Sequence, residues 1–195
     1  MKRLPWGIRS SEIYVPLGDK YFPKQAEILH TLDSNIQFKV LAGGVGASKS
    51  WTSARDVLPE IVLANLWRYQ NGLPKWTELG SETLNVWLAG DNYNQPRKEW
   101  QFIYDAISQN EHLWKLCGGI VREKTSIPRD GPWYFETGLG VVVETKSWDN
   151  PESFHSEKVH VMVLAESGLL DAWTWENRIL PRVVKANGIC VLNGT

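Results

Sequence analysis

The sequence predicts an α/β fold: a mostly parallel sheet flanked by helices, with a short β-hairpin insertion. Three observations lead to it. Short apolar runs that read as strands alternate along the chain with stretches of helical periodicity. Several of these runs, "LNVWLAG" and "VHVMVLAE" among them, are apolar almost throughout, as strands buried on both faces of a parallel sheet are. Between them, "PWYFET" and "GVVVETK" flank Gly138 to Gly140 and read as two strands joined by a hairpin turn.

The elements follow in chain order. Residues 1–21 hold Pro5, Gly7, Pro16 and Gly18 without sustained periodicity, and are expected to form an N-terminal arm. In "PKQAEILHTL", Pro23 suits a helix start, and Ala26, Ile28, Leu29 and Leu32 lie near helical spacing. "QFKVLAG" alternates Phe38, Val40 and Ala42 with polar Gln37 and Lys39, a short strand ending at glycines. Trp51, Ala54 and Val57 or Leu58 then share one helical face, with Pro59 expected to bend or stop that helix. Asn71 to Ser81 read as a connecting loop, and "LNVWLAG" as the next strand. In "NQPRKEWQFIYDAI", Trp100, Ile103 or Tyr104, and Ile107 lie along one stripe of a helix. After the hairpin come a strand, "VHVMVLAE", a helix, "DAWTWENRIL", and a strand, "GICVLNGT".

Bulk properties narrow the function. A chain of 195 residues with 43% hydrophobic content suits one globular domain, assigned to 22–195 after the arm. Lys and Arg total 21 against 22 Asp and Glu, so no global field attracts nucleic acid or anionic membrane, and any DNA contact has to come from a local surface. Cys117 and Cys190 have no paired spacing, which fits a reducing compartment and small core residues. His155 and His160 lack a Cys partner and do not form a metal motif. No apolar run approaches the ~18 residues of a membrane span, so the protein reads as soluble and cytosolic. The 11 tryptophans follow no fixed interval and read as core and interface fillers.

The chemistry concentrates in "GGVGASKS", Gly43 to Ser50. It nearly spells the phosphate-binding (Walker A) pattern G-x-x-x-x-G-K-[ST], with Ser48 in place of the second glycine. The weakened pattern arises by chance in roughly one in ten chains of this length, so its setting matters more than the string. Here a strand precedes it and a helix follows. Gly43, Gly44 and Gly46, with Val45, Ala47 and Ser48 between and after them, let backbone N–H groups turn toward an anion at the helix N-terminus. Lys49 would reach the β and γ phosphates of ATP, and the Ser50 hydroxyl would ligate Mg²⁺. Ser48 is tolerable on size, unless its backbone needs φ > 0.

A second motif supports the first. ATP hydrolysis needs a strand end with an acidic pair, one carboxylate for the Mg²⁺ shell and one for the attacking water. In "VHVMVLAES" Glu166 stands at the second place and Ala165 occupies the first. Together the two motifs point to a P-loop NTPase of the RecA/ASCE-like kind.

In their order these segments resemble the ATPase domain of the large terminase subunit of tailed bacteriophages. "FPKQAEIL" resembles the family's adenine-side segment, which places Phe22, Pro23 and Gln25 near the base. "GGVGASKS" resembles its phosphate loop, "VWLAGDNYNQPRKEW" its second strand and following helix, and "VMVLAES" its acidic strand. "ILPRVVKANGICVLNGT" resembles the approach to its coupling motif, at Asn193, Gly194 and Thr195. The resemblance implies an ATP- and Mg²⁺-dependent motor that drives double-stranded viral DNA into the procapsid. Implied partners are the portal protein, the small terminase subunit and further copies in a ring, in the host cytoplasm at the portal. The family's lid and nuclease regions lie beyond the coupling motif, so the chain is expected to be truncated before them and to have no nuclease activity.

Two departures stand out: Ala165, and the absence of an arginine in the loop or in "FHSEK". Arg178 and Arg182 remain as candidates to stabilise γ-phosphate charge, the alternative being a solvated helix face. A helicase-like DNA translocase shares much of the pattern, and a nucleotide-binding module without hydrolysis fits the two departures.

Overall fold

A computed structural model of the chain describes residues 37–44, 48–70, 84–124, 131–154, 158–186 and 188–194. The expected arm, the helix from Pro23 and the loop from Asn71 to Ser81 lie outside these residues, as do Phe22, Gln25, Val45, Gly46, Ala47, His155 and Thr195.

The described strands form one seven-stranded sheet. They are β1 (Phe38–Ala42), β2 (Leu84–Gly90), β3 (Ile120–Lys124), β4 (Tyr134–Thr137), β5 (Val141–Ser147), β6 (Val161–Ala165) and β7 (Ile189–Gly194), in spatial order β1-β7-β6-β2-β5-β4-β3. The five strands from β1 to β5 in that order pair in parallel. At the other end β4 and β3 continue the sheet antiparallel, so the expected hairpin shares β5 with the parallel part. β1 and β6, the strands that carry the two motifs, are separated by β7.

Helices cover both faces. α1 (Lys49–Gln70), α2 (Arg97–Gln109) and α3 (Glu111–Cys117) lie on one face, over Val86, Leu88, Val161, Val163 and Val191. α4 lies on the other; it begins as Ala172–Thr174, widens into a π-helical stretch over Trp175–Ile179 and returns to α-helix over Leu180–Lys185. Its Ile179 and Val183 pack on Trp87, Met162, Leu164 and Cys190. Neighbouring residues of each central strand thus enter opposite cores, which explains their continuous apolar character.

α1 does not stop at Pro59. The helix runs on to Gln70, although proline removes one ladder hydrogen bond. Burial of Ala54, Val57, Leu58 and Ile61 against the sheet offsets that loss. In α2, Trp100, Ile103 and Ile107 form the expected buried stripe, and the Trp100 ring stacks on Tyr104 at 5.0 Å. Other tryptophans leave the core; Trp114 and Trp173 are exposed. Cys117 and Cys190 are free and buried, and burial pushes both thiols up to about 12. No helix among the described residues is long and apolar enough to cross a membrane.

In β1 the expected alternation is inverted: Lys39 and Leu41 face α1, while Phe38, Val40 and Ala42 are exposed. Leu41 is buried with Ala54 and Val57, and the Lys39 ammonium meets Asp56 at 2.7 Å. Phe38 lies on the opposite face against Trp175, and Val40 is 72% exposed. Among the described strands β1 lies at an edge, so that face is covered less than those of the inner strands.

Glu136 on β4 is an unusual core residue. Its carboxyl is buried, with the Arg122 guanidinium 3.8 Å away, beyond hydrogen-bond distance. Burial raises its pKa, and Arg122 only partly opposes this. The folded chain therefore holds this proton more tightly than the unfolded chain. The stability contribution is complete below the ordinary carboxyl value and is lost as pH rises through the raised one. Glu136→Gln should raise the melting temperature at pH 8 and change it little at pH 4, as read by paired thermal melts.

Candidate nucleotide site

The site is assembled where β1, β7 and β6 end. Their register places Ala42 beside Gly194, and Asn193 between Leu41 and Ala165. All three chains leave the sheet at the same edge, and the Gly43 amide donates to the Gly194 carbonyl at 3.3 Å. The glycine loop, the expected coupling segment and the acidic strand end are neighbours for this reason.

Ser48 opens α1. Its carbonyl accepts the Thr52 amide at 2.9 Å and the Thr52 hydroxyl at 3.0 Å. The first turn of α1 carries no acidic residue, so no side chain there neutralises the positive end of the helix dipole. Lys49 follows, with its ammonium on the Gly43 carbonyl at 2.5 Å and the Gly44 carbonyl at 3.3 Å. A Cβ added to Gly44 would meet nothing within 4 Å.

Ser48 adopts φ 53°, the case that glycine would suit. Glu166 does the same, with φ 53° and ψ 49°, and turns the chain from β6 into a short 3₁₀ segment, Ser167–Leu169. Among the described residues these are the only non-glycine positions with positive φ. Each costs roughly 1–2 kcal/mol against a right-handed backbone. Local backbone strain thus falls on the residue that opens α1 and on the residue that follows β6.

Asn193 and Gly194 form the bridge between them. Gly194 passes close to the acidic turn: a Cβ there would lie 3.2 Å from the Ser167 hydroxyl. Asn193 is buried, and its side-chain amide donates to Glu99 Oε1 at 3.1 Å and to the Ser53 hydroxyl at 3.4 Å.

Glu99 was not legible as a site residue. It lies in the first turn of α2 and is 1% exposed. Burial is the largest influence on the carboxyl and raises its pKa, with the nearby Ser50 side chain, Asn193 and Lys98 opposing. Oε2 of Glu99 and Oδ1 of Asn193 are buried without a hydrogen-bond partner. Leaving such atoms unpaired costs on the order of 1–3 kcal/mol each. The one signal in the sequence was the placement of Glu99 four residues before Ile103, a carboxylate inside the apolar stripe.

Arg178 and Arg182 lie apart from this cluster, on α4 across the sheet from α1. The Arg178 guanidinium sits 5.3 Å from the Trp173 ring centroid, and Arg182 donates to the Arg178 carbonyl. Burial, followed by the charge of Arg178, lowers the Arg182 pKa. His160 serves the fold instead: its Nδ1 accepts the Asn85 amide at 3.2 Å.

Similarity to solved structures agrees with this architecture. Over 92% of this chain, the large terminase ATPase domain of Thermus phage P74-26 superposes with a TM-score of 0.61 at 14% identity. The chain has the fold of a phage large terminase ATPase domain. The HK97 bacteriophage large terminase matches 91% of it at a TM-score of 0.54 and 12% identity. The large terminase of a thermophilic bacteriophage matches 90% of it at 0.56 and 14%. The chain spans 66% of the Thermus phage ATPase domain, and 33% and 39% of the other two terminases. No protein-family model matches the chain. A stretch of 105 residues, 52% of the chain, is 29% identical to phospholipase D alpha 1 of Ricinus communis, but covers only 11% of that enzyme.

On the terminase fold, the strain at Ser48 has a direct consequence. Ser48→Gly should relieve about 1 kcal/mol, partly offset by the freer unfolded chain, and raise the melting temperature by roughly 2–4 °C. Differential scanning calorimetry of the two chains reads this directly.

Proposed function

We propose that this chain is the ATP-binding and ATP-hydrolysing motor domain of a phage large terminase, driving double-stranded DNA into the procapsid. The observation that carries the proposal is the register of β1, β7 and β6, which brings Gly43, Asn193 and Glu166 to one edge of the sheet, where Lys49 meets the Gly43 carbonyl. In this reading the loop amides and the N-terminus of α1 receive the phosphates. Lys49 leaves the Gly43 and Gly44 carbonyls for phosphate oxygens, so its charge is already held at the loop before the nucleotide arrives. Glu166, held clear of β6 by its left-handed backbone, orients the attacking water and accepts its proton. Phe22 and Gln25 are assigned to the base, and Asn193, Gly194 and Thr195 to coupling. Arg178 and Arg182, across the sheet from this subunit's α1, are assigned to the γ-phosphate charge of a neighbouring subunit.

The residues at Ser50 fit Mg²⁺ rather than a dedicated metal cage. Among the described residues, no group of three or more His, Cys, Asp and Glu side chains could hold a metal ion. Mg²⁺ commonly takes only one or two protein ligands and completes its shell with phosphate and water. Ser50 would hold it, with the unpaired buried oxygen of Glu99 nearby. Bound there, Mg²⁺ would neutralise charge on the transferred phosphoryl group.

The assembly proposal extends to the portal protein, the small terminase subunit and further copies in a ring, located at the procapsid portal in the host cytoplasm. A nucleotide-binding module without turnover is the alternative that Ala165 favours. Lys49→Ala should lower ATP turnover at least about 100-fold, by removing a charge that stabilises the transition state. Phosphate-release assays beside fluorescent-nucleotide binding check it. Unchanged turnover in the variant would overturn the motor reading, whereas binding without turnover by the assembled wild-type protein would favour the inactive module.

A further inference from the structure

Position 165 holds alanine where a carboxylate opposite the loop serine is expected, and the structure holds a different carboxylate, Glu99, on Asn193, the register neighbour of Ala165. Ala165 shares its face of β6 with Val161 and Val163, the face covered by α1 and α2. An acid at 165 would therefore point toward the Ser50 side of the sheet. Directly beside it in register is Asn193, whose amide holds Glu99 from above. The Ser50 side chain lies close enough to the same carboxyl group to lower its pKa. The cluster Ser50, Ser53, Glu99 and Asn193 thus occupies the space next to Ala165, drawn from α1, α2 and β7.

The placement of Glu99 is built into the fold. Asp91 donates its amide to the Gln95 side chain, and a Cβ on Gly90 would come within 2.7 Å of that side chain, so the turn into α2 packs tightly on the end of β2. Trp100, the next residue, is fully buried among Tyr104, Trp133 and Phe135. With α2 fixed at both points, Glu99 cannot swing to solvent, and one of its oxygens stays buried without a partner. Isolated buried carboxylates are avoided unless they are paired or hold a cation.

We infer that Glu99 is the positioning carboxylate of the nucleotide site: it accepts the Ser50 hydroxyl proton in a hydrogen bond, aims the Ser50 oxygen at the divalent cation that accompanies the nucleotide, and so replaces the acid missing at Ala165. The inference rests on the nucleotide-binding reading above. It also gives Asn193 a physical part in coupling, since its amide donates to the carboxyl group that lies beside Ser50. A shift of Ser50 on cation binding would reach β7 through a single side chain.

The test compares binding of a fluorescent ADP (mant-ADP) in Mg²⁺ and in EDTA, together with Mn²⁺ binding followed by electron paramagnetic resonance. In Glu99→Gln, which keeps shape and hydrogen bonding but not charge, the gain in affinity conferred by Mg²⁺ should fall 10- to 100-fold, the range seen when outer-shell partners of metal ligands are removed. Mn²⁺ binding should weaken in parallel, while the affinity in EDTA stays at the wild-type value. Adding Ala165→Asp to Glu99→Gln should restore part of the Mg²⁺ gain. If Glu99→Gln does not fold, Glu99→Asp, with its carboxyl withdrawn by one methylene, should show the same selective loss. An unchanged Mg²⁺ gain would overturn the inference, as would an equal loss of affinity with and without Mg²⁺. A wild-type chain that binds no mant-ADP under either condition overturns the nucleotide reading and the inference together. Wild-type binding with an unaffected variant overturns the inference alone.

Discussion

Parallel pairing of β7 between β1 and β6 is the constraint on which the rest depends. Parallel strands leave a sheet at the same edge, so residues distant in sequence come together only if their strands are in register. Here Leu41, Asn193 and Ala165 form one row across the three strands, and the glycine loop, the Asn193–Gly194 segment and Glu166 follow from it. A slip of one residue in β7 would turn Asn193 to the α4 face and put Leu192 beneath α1 and α2. The apolar partition makes that slip costly: Val191 belongs to the α1 and α2 core, while Cys190 and Leu192 pack on the α4 side.

That partition is also why so much of the fold was legible. β2, β6 and β7 are buried on both faces, and their sequences are nearly free of charge, so composition alone located them. The stripe of α2 was visible for the complementary reason, since only one of its faces meets the core. Legibility failed where burial is slight or elements are short. β3 is exposed along four of its five residues and carries three charges, so it lacks a strand signature. α3 has seven residues, too few to show a period; its stability comes from the Asn110 side chain at one end and Gly118 with φ 71° at the other. Pro59 misled for a different reason, because tertiary packing of α1 outweighed a local preference.

The site was legible as two strings and obscure as a cluster. Glycines, a lysine and a serine at fixed spacing report themselves, since each has a distinct chemical task. Glu99 has no string around it. Its meaning comes from the turn after Gly90, from the burial of Trp100 and from the reach of Asn193, all of which are tertiary facts. The departure at Ala165 was visible, but which residue faces Ser50 in its stead depends on where α2 begins.

Both non-glycine residues with positive φ among the described residues lie around this site, as do two of the buried polar atoms without a hydrogen-bond partner. Others, such as Glu136 Oε2, lie elsewhere in the fold. Ser48 and Glu166 take left-handed backbones, and Glu99 and Asn193 each bury an unpartnered oxygen, within the same few strand ends. Most of the central sheet obeys ordinary rules: continuous apolar strands, a divided core and tryptophans packed edge to face. A sequence selected only to fold would relieve these positions first, with glycine at 48 and 166 and an apolar residue at 99. Retaining all of them together is intelligible if the strand ends are shaped to receive something outside the protein. An anion would meet the N-terminus of α1 and the Lys49 ammonium, and a cation would meet the Ser50 oxygen with the Glu99 charge behind it. The two halves of a metal–phosphate group would then find opposite electrostatic partners on neighbouring residues of one turn, Lys49 and Ser50.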